Sequence, residues 1–159
     1  MKQIVVKIKN LTKSKWLNLF RVQYINSKNK IIDWFFVSRK KNPIVDKSVD
    51  AVVIIPTIDT PEGRRLVVTK EYRIVIDDYE YGFPAGLIEN GLNMEESARK
   101  ELKEETGLDT KKVLGISNVV YSSPGSSDES AVMFFVRAEG EISNKYQEET
   151  EDIETFLYD

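Results

Sequence analysis

Short apolar runs separated by polar turns fill most of this chain, and one stretch of strong helix formers interrupts them. The first 41 residues read as strands. Residues 17–25 are rich in Leu, Phe, Val, Tyr and Ile, Ser27-Lys28-Asn29-Lys30 is a polar turn, and residues 31–38 return, which predicts a hairpin. Lys40-Lys41-Asn42-Pro43 reads as a linker. Residues 49–58 predict a buried strand, Asp59–Gly63 a turn, and residues 64–73 a returning strand. A short strand near 79–83 leads into a Pro84-Ala85-Gly86 loop. Helix formers occupy 94–106, with Asn93 and Glu96 spaced as a capping box and Gly107 placed to end the helix. Strands follow at about 112–121 and 130–137, joined by a loop over 122–129. The sum is an α+β chain: a mixed sheet, one central helix and an N-terminal β arm.

Composition narrows the chemistry. The 159 residues suit one domain with one core, 41% are hydrophobic, and no apolar run is long enough to cross a bilayer. The start, MKQIVVKIKN, lacks the apolar stretch of a secretory signal, so the expected location is the cytoplasm. There is no cysteine and no histidine. Thiolate and imidazole catalysis are excluded, and acid–base or metal chemistry falls to carboxylates, lysine, tyrosine or backbone. The net charge of −3 is unevenly spread. Residues 1–41 hold eleven Lys/Arg and one acid, Asp33, whereas residues 138–159 hold eight acids and one base, Lys145. Oppositely charged solvated faces and docking of the basic arm on another subunit both fit. Nucleic-acid binding is the weakest of the three readings, because no basic–aromatic pattern repeats, and no nucleic-acid partner is expected.

Glu101, Glu104 and Glu105 stand at i, i+3 and i+4, one face of a helix, while Ala98 and Leu102 are offered for burial. Like charges at this spacing repel, so a cation should offset them. One reading is a solvated acidic face with Lys100 and Lys103 as partners. The other is a site for a hard divalent ion, which takes oxygen ligands. The preceding Pro-Ala-Gly loop favours the second. Its glycine permits close backbone approach, and the Ala85 carbonyl adds an oxygen.

The segment GLIENGLNMEESARKELKEETGL, residues 86–108, resembles the signature box of the Nudix hydrolases. Gly86, Glu101, Leu102, Glu104, Glu105, Gly107 and Leu108 fall in register. Leu92 stands where the family has glutamate and Lys100 where it has arginine. Those two usually form a supporting ion pair, so their joint change leaves no unpaired partner behind. FPAGLIE, together with Pro124 sixteen residues after Leu108, resembles the ADP-ribose pyrophosphatase subfamily. Gly82 departs from it, because close relatives often carry glutamate there. The resemblance covers nearly the whole chain and is strongest over 81–129.

The resemblance implies a Nudix α/β/α sandwich around a mixed sheet. Residues 1–42 would form a β-hairpin arm used for homodimerisation and for the base site, and residues 43–159 the hydrolase domain. It implies Mg²⁺, with Mn²⁺ as a substitute, on the Ala85 carbonyl, Glu101, Glu104 and Glu105. Glu129 would act on a mobile loop as general base or as an aid to the attacking water, and Glu104 and Glu105 would share in catalysis. Trp34 would stack on the base, Arg39 and Arg73 would contact the diphosphate, and Gly86 would lie against the substrate. The implied reaction is hydrolysis of ADP-ribose to AMP and ribose 5-phosphate. Three alternatives stay open: another nucleoside diphosphate sugar such as GDP-mannose, a Nudix-like nucleotide-binding or regulatory domain without hydrolysis, and a plain metal-binding domain.

Overall fold

The hairpin expected over residues 17–38 is present and carries a third strand. In the computed structural model, which describes residues 3–149 and 151–159, β1 (Ile4–Asn10), β2 (Asn18–Ile25) and β3 (Ile31–Ser38) form an antiparallel sheet in that order. The turn after β2 is built on Asn26, whose side chain accepts from the Lys28 and Lys30 amides at 2.9 and 3.0 Å. Asn29 supplies the left-handed residue at φ 56°, a conformation that asparagine tolerates. Phe20 and Val22 are buried, and Phe20 stacks on Phe36 with ring centroids 5.6 Å apart. Across the same strand pair, Arg21 grips Asp33 with two bonds of 2.9 and 2.6 Å. This sheet and residues 121–130 form one compact unit of the chain.

Residues 49–120 with 131–159 form the other unit. Its strands are β4 (Ala51–Thr60), β5 (Gly63–Arg73), β6 (Asp78–Gly82), β7 (Ala85–Leu87), β8 (Asp109–Ile116), the two-residue β9 (Val120–Tyr121) at its boundary, β10 (Ser130–Glu139) and β11 (Ile153–Tyr158). The central order is β11-β5-β4-β10-β8. β4 and β10 run parallel, the other neighbours antiparallel, so the sheet is mixed as expected. Period-two burial explains the pairing. Val52 and Ile54 of β4 and Val132, Phe134, Val136 and Ala138 of β10 point into the core. One edge of β4 meets β7 over Ala51–Val53 and β5 over Thr57–Thr60. Pro56, which has no N–H to donate, falls in the gap between them.

Helix α1 (Met94–Thr106) is the one helix among the described residues. Its limits follow from local chemistry. The Asn93 side chain accepts from the Glu95 and Glu96 amides, and Glu96 accepts from the Asn93 amide at 2.8 Å, a full capping box. Gly107 ends it at φ 77°, with its N–H donating to the Lys103 carbonyl at 2.9 Å. Ala98 and Leu102 bury against the sheet core with Leu108. The helix is too short and too polar to cross a membrane, and no other described helix exists to do so.

Three elements differ from expectation. The Pro-Ala-Gly segment is not simply a loop, because Ala85–Leu87 pairs with β4, Gly86 opposite Val52. The strand expected over 112–121 starts at Asp109 and breaks after Ile116. There the Ser117 hydroxyl accepts from the Met133 amide at 2.9 Å and donates to the Asn118 carbonyl at 2.7 Å, taking bonds that a ladder would use. β11 is an added strand. Its partner β5 supplies the pairing that the adjoining acidic run conceals in the sequence.

Candidate active site

The face of α1 predicted to bear three glutamates does so, in three different environments. Glu105 is 6% exposed, and the Ala85 N–H donates to its Oε1 at 3.3 Å. Burial pushes its carboxyl up to about 8, against the pull of that N–H, and Glu101, Glu151 and Glu71 add repulsion. Glu101 is raised to about 7, by burial first and then by Glu104. Its carboxylate fills the space beside Gly86, where an added Cβ would stand 2.1 Å from Oε1. Glu104 instead bonds to the Lys100 ammonium at 2.7 Å. The same ammonium reaches Glu89 at 2.6 Å, and the two carboxylates raise the lysine's pKa.

Of these two partners, Glu104 belongs to the acidic face that Lys100 was expected to neutralise, and Glu89 is new. With Leu92 in the box position, the acid comes from Glu89, three residues earlier. A turn in which the Leu92 N–H donates to the Glu89 carbonyl at 3.2 Å sets the two apart.

Among the described residues no three acidic side chains stand together as a ready metal cage. The donor set nevertheless fits a hard divalent cation. Glu101 and Glu105 have no ion-pair partner among the described residues, both are held above the usual carboxylate range, and a glycine cradles one of them. A buried and a half-buried carboxylate that repel each other make no ion pair of their own, and oxygen donors suit a divalent cation. Glu104 stands next to them on the helix, neutralised by Lys100.

Trp34, Arg39 and Glu129 belong to the other compact unit. Trp34 lines a shallow pocket of about 320 Å³ with Gln3, Val5, Val22, Tyr24 and Ile44. Its indole N–H donates to the Gly125 carbonyl at 3.0 Å. Arg39 Nε donates to Glu129 Oε1 at 3.1 Å, so these two expected site residues contact each other. The loop expected to be mobile is anchored to β3. The Val37 N–H donates to the Ser126 carbonyl at 2.8 Å, and the Ser38 hydroxyl bonds Asp128 at 3.0 Å. Arg73, on β5, is held by Glu71 at 2.8 Å and Glu80 at 2.9 Å.

Several contributing residues were not singled out from the sequence. Glu71 and Glu151 both repel Glu105. Gln147 Nε2 donates to the Glu105 carbonyl at 3.1 Å and to the Ile153 carbonyl at 2.8 Å, tying the helix end to β11. Glu71 stands two residues before Arg73 and Glu89 inside GLIE, but nothing local distinguishes them from surface acids.

The box, the glutamates of α1 and the mixed sheet agree with comparison to known proteins. The model of the NUDIX domain matches residues 47–159. The chain belongs to the Nudix family. This Nudix chain is 32% identical over 128 residues to an ADP-sugar pyrophosphatase of Mus musculus, covering 80% of the chain and 57% of that protein. It is 25% identical over 156 residues to an ADP-ribose pyrophosphatase of Saccharomyces cerevisiae, covering 94% of the chain and 66% of that protein. It spans between 57% and 66% of the length of these curated relatives. A solved structure described as an ADP compounds hydrolase shares the Nudix fold at a TM-score of 0.74 and 17% identity, covering 99% of this chain and 78% of that one.

Proposed function

We propose that this Nudix protein hydrolyses the pyrophosphate bond of ADP-ribose, giving AMP and ribose 5-phosphate, with Mg²⁺ or Mn²⁺ as cofactor. The observation that carries the reaction class is the pair Glu101, half-buried, and Glu105, buried, both raised above the usual carboxylate range and without an ion-pair partner among the described residues, beside Ala85 and Gly86. The ADP-sugar and ADP-ribose pyrophosphatases among the relatives support the substrate class. A bound divalent cation supplies charge screening for the diphosphate and activation of water.

Glu101 and Glu105 hold the cation as carboxylates, with Glu104 and the Ala85 carbonyl completing the oxygen set. The bond from Ala85 to Glu105 fixes that carboxylate before any ligand arrives. Gly86, without a side chain, leaves room for Glu101 and for close approach of substrate. Trp34 offers an indole face to the base, and Arg39 and Arg73 offer guanidinium forks to phosphate oxygens. Glu129 accepts a proton from the attacking water. For that, Arg39 must exchange Glu129 for phosphate, which the half-exposed pair allows.

The arm supports a homodimer. Every residue of β1 is exposed, including Ile4, Val6 and Ile8, and an exposed apolar strand favours a partner. The test of function is a panel of nucleoside diphosphate derivatives incubated with Mg²⁺, with products identified by mass. AMP and ribose 5-phosphate from ADP-ribose are expected. Turnover of GDP-mannose instead would replace the substrate, and ligand-induced stabilisation without product would make this a binding domain.

A further inference from the structure

We propose that Glu89 is a positioning residue, which retains the Lys100 ammonium so that Glu104 can be released to a divalent cation. The inference rests on the metal-dependent reading above and extends it to a residue outside the expected ligand set. Lys100 Nζ lies 2.6 Å from Glu89 Oε1 and 2.7 Å from Glu104 Oε2, so one ammonium bridges two acids. The lysine is about one-third exposed and Glu104 less so. An ammonium in that setting is costly to leave without a counter-charge.

This resident ammonium competes with a metal. It already neutralises Glu104, and no group of three acids stands ready for an ion among the described residues. A cation that recruits Glu104 must take it from Lys100. With Glu89 in place the lysine keeps one carboxylate throughout. Glu89 is well placed for this, because it lies on the turn between β7 and α1 rather than on the helix, and its carbonyl holds the turn through Leu92. Glu89 makes no hydrogen bond to Glu101 or Glu105. Its charge does repel Glu101 directly, so the part of its effect that passes through Lys100 has to be separated from that repulsion.

Removing Glu89 also removes a negative charge near the site, which weakens any cation by itself. A double-mutant cycle separates the two effects. Mn²⁺ binding is measured by calorimetry on the intact chain, without nucleotide, for wild type, Glu89→Gln, Lys100→Met and the double variant. Thermal melts check that each variant is folded, and Lys100→Gln replaces Lys100→Met if the latter is not. In the wild-type background Glu89→Gln is expected to weaken Mn²⁺ by about threefold to tenfold, a supporting-residue effect reduced for partial exposure. In the Lys100→Met background it should change affinity by no more than about twofold, and Glu89→Asp should recover most of the wild-type affinity. Equal weakening in both backgrounds, or none in the first, overturns the inference while leaving the metal site intact. Failure of wild type to bind Mn²⁺ overturns the metal reading itself, and is distinguished by appearing before any substitution is made.

Discussion

Replacing Gly86 with alanine would place a methyl group 2.1 Å from Glu101 Oε1 and 2.2 Å from its Cδ. Ordinary contact begins near 3.4 Å, so the carboxylate must retreat by about 1.3 Å. The backbone itself permits the change, because Gly86 is not among the glycines with positive φ. The colliding atoms are the end of a flexible side chain, which can rotate away. Folding stability should therefore move by less than about 1 kcal/mol, since a compatible Gly→Ala change also lowers the entropy of the unfolded chain. Metal binding should suffer far more. Displacing one carboxylate of the set is expected to weaken Mn²⁺ by at least tenfold to a hundredfold, about 1.4–2.8 kcal/mol. Urea unfolding without metal measures the first quantity and calorimetric Mn²⁺ titration the second. Mn²⁺ affinity within twofold of wild type, in a variant of unchanged stability, would refute the placement of Glu101 at the cation. Gly107→Ala is the converse control. There the new methyl group meets Ser143 backbone N and O at 2.7 Å, at a φ of 77°. A loss of about 2–4 kcal/mol of stability is expected from left-handed strain and a forced backbone shift together.

Three further outcomes are expected. The carboxyls of Glu101 and Glu105 are raised in the folded chain to about 7 and about 8, so below about pH 4.5 their contribution is fully present, and it is lost as pH rises through those values. The metal-free melting temperature should fall between pH 5 and pH 8, Mn²⁺ should reduce that fall, and Glu105→Gln should flatten it; a Glu105→Gln curve parallel to wild type would contradict the assignment. The same variant keeps an oxygen for the Ala85 N–H, so turnover of ADP-ribose should drop at least a hundredfold while the urea midpoint stays near wild type. Asn93→Ala removes both side-chain cap bonds and should cost about 1–2 kcal/mol in urea unfolding.

The parts of this molecule legible in the sequence are those set by neighbours along the chain. Asn93, Glu96 and Gly107 act within a few residues of themselves, and helix α1 starts and stops where they say. The spacing of Glu101 and Glu105 likewise put them on one face. β11 was hidden, because its strand character depends on β5, some eighty residues away, rather than on the acids before it. Ser117 was hidden because a hydroxyl can break a strand only where a partner amide meets it. Lys100 looked like a simple replacement for arginine. Its link to Glu89 depends on how one turn folds back, which no periodicity encodes.

The anchoring of residues 121–130 on β3 has a consequence for how the chain is made. Trp34 and Gly125, joined by an indole hydrogen bond, are separated by 91 residues, and Ser38 and Asp128 by 90. A ribosome releases the arm long before the segment that completes its unit. The arm must then wait, with its apolar strands uncovered, until most of the chain has emerged. Contacts this distant in sequence slow folding and lengthen exposure to aggregation. Recombinant yield should therefore respond more to synthesis rate and temperature than the folded protein's own stability would suggest.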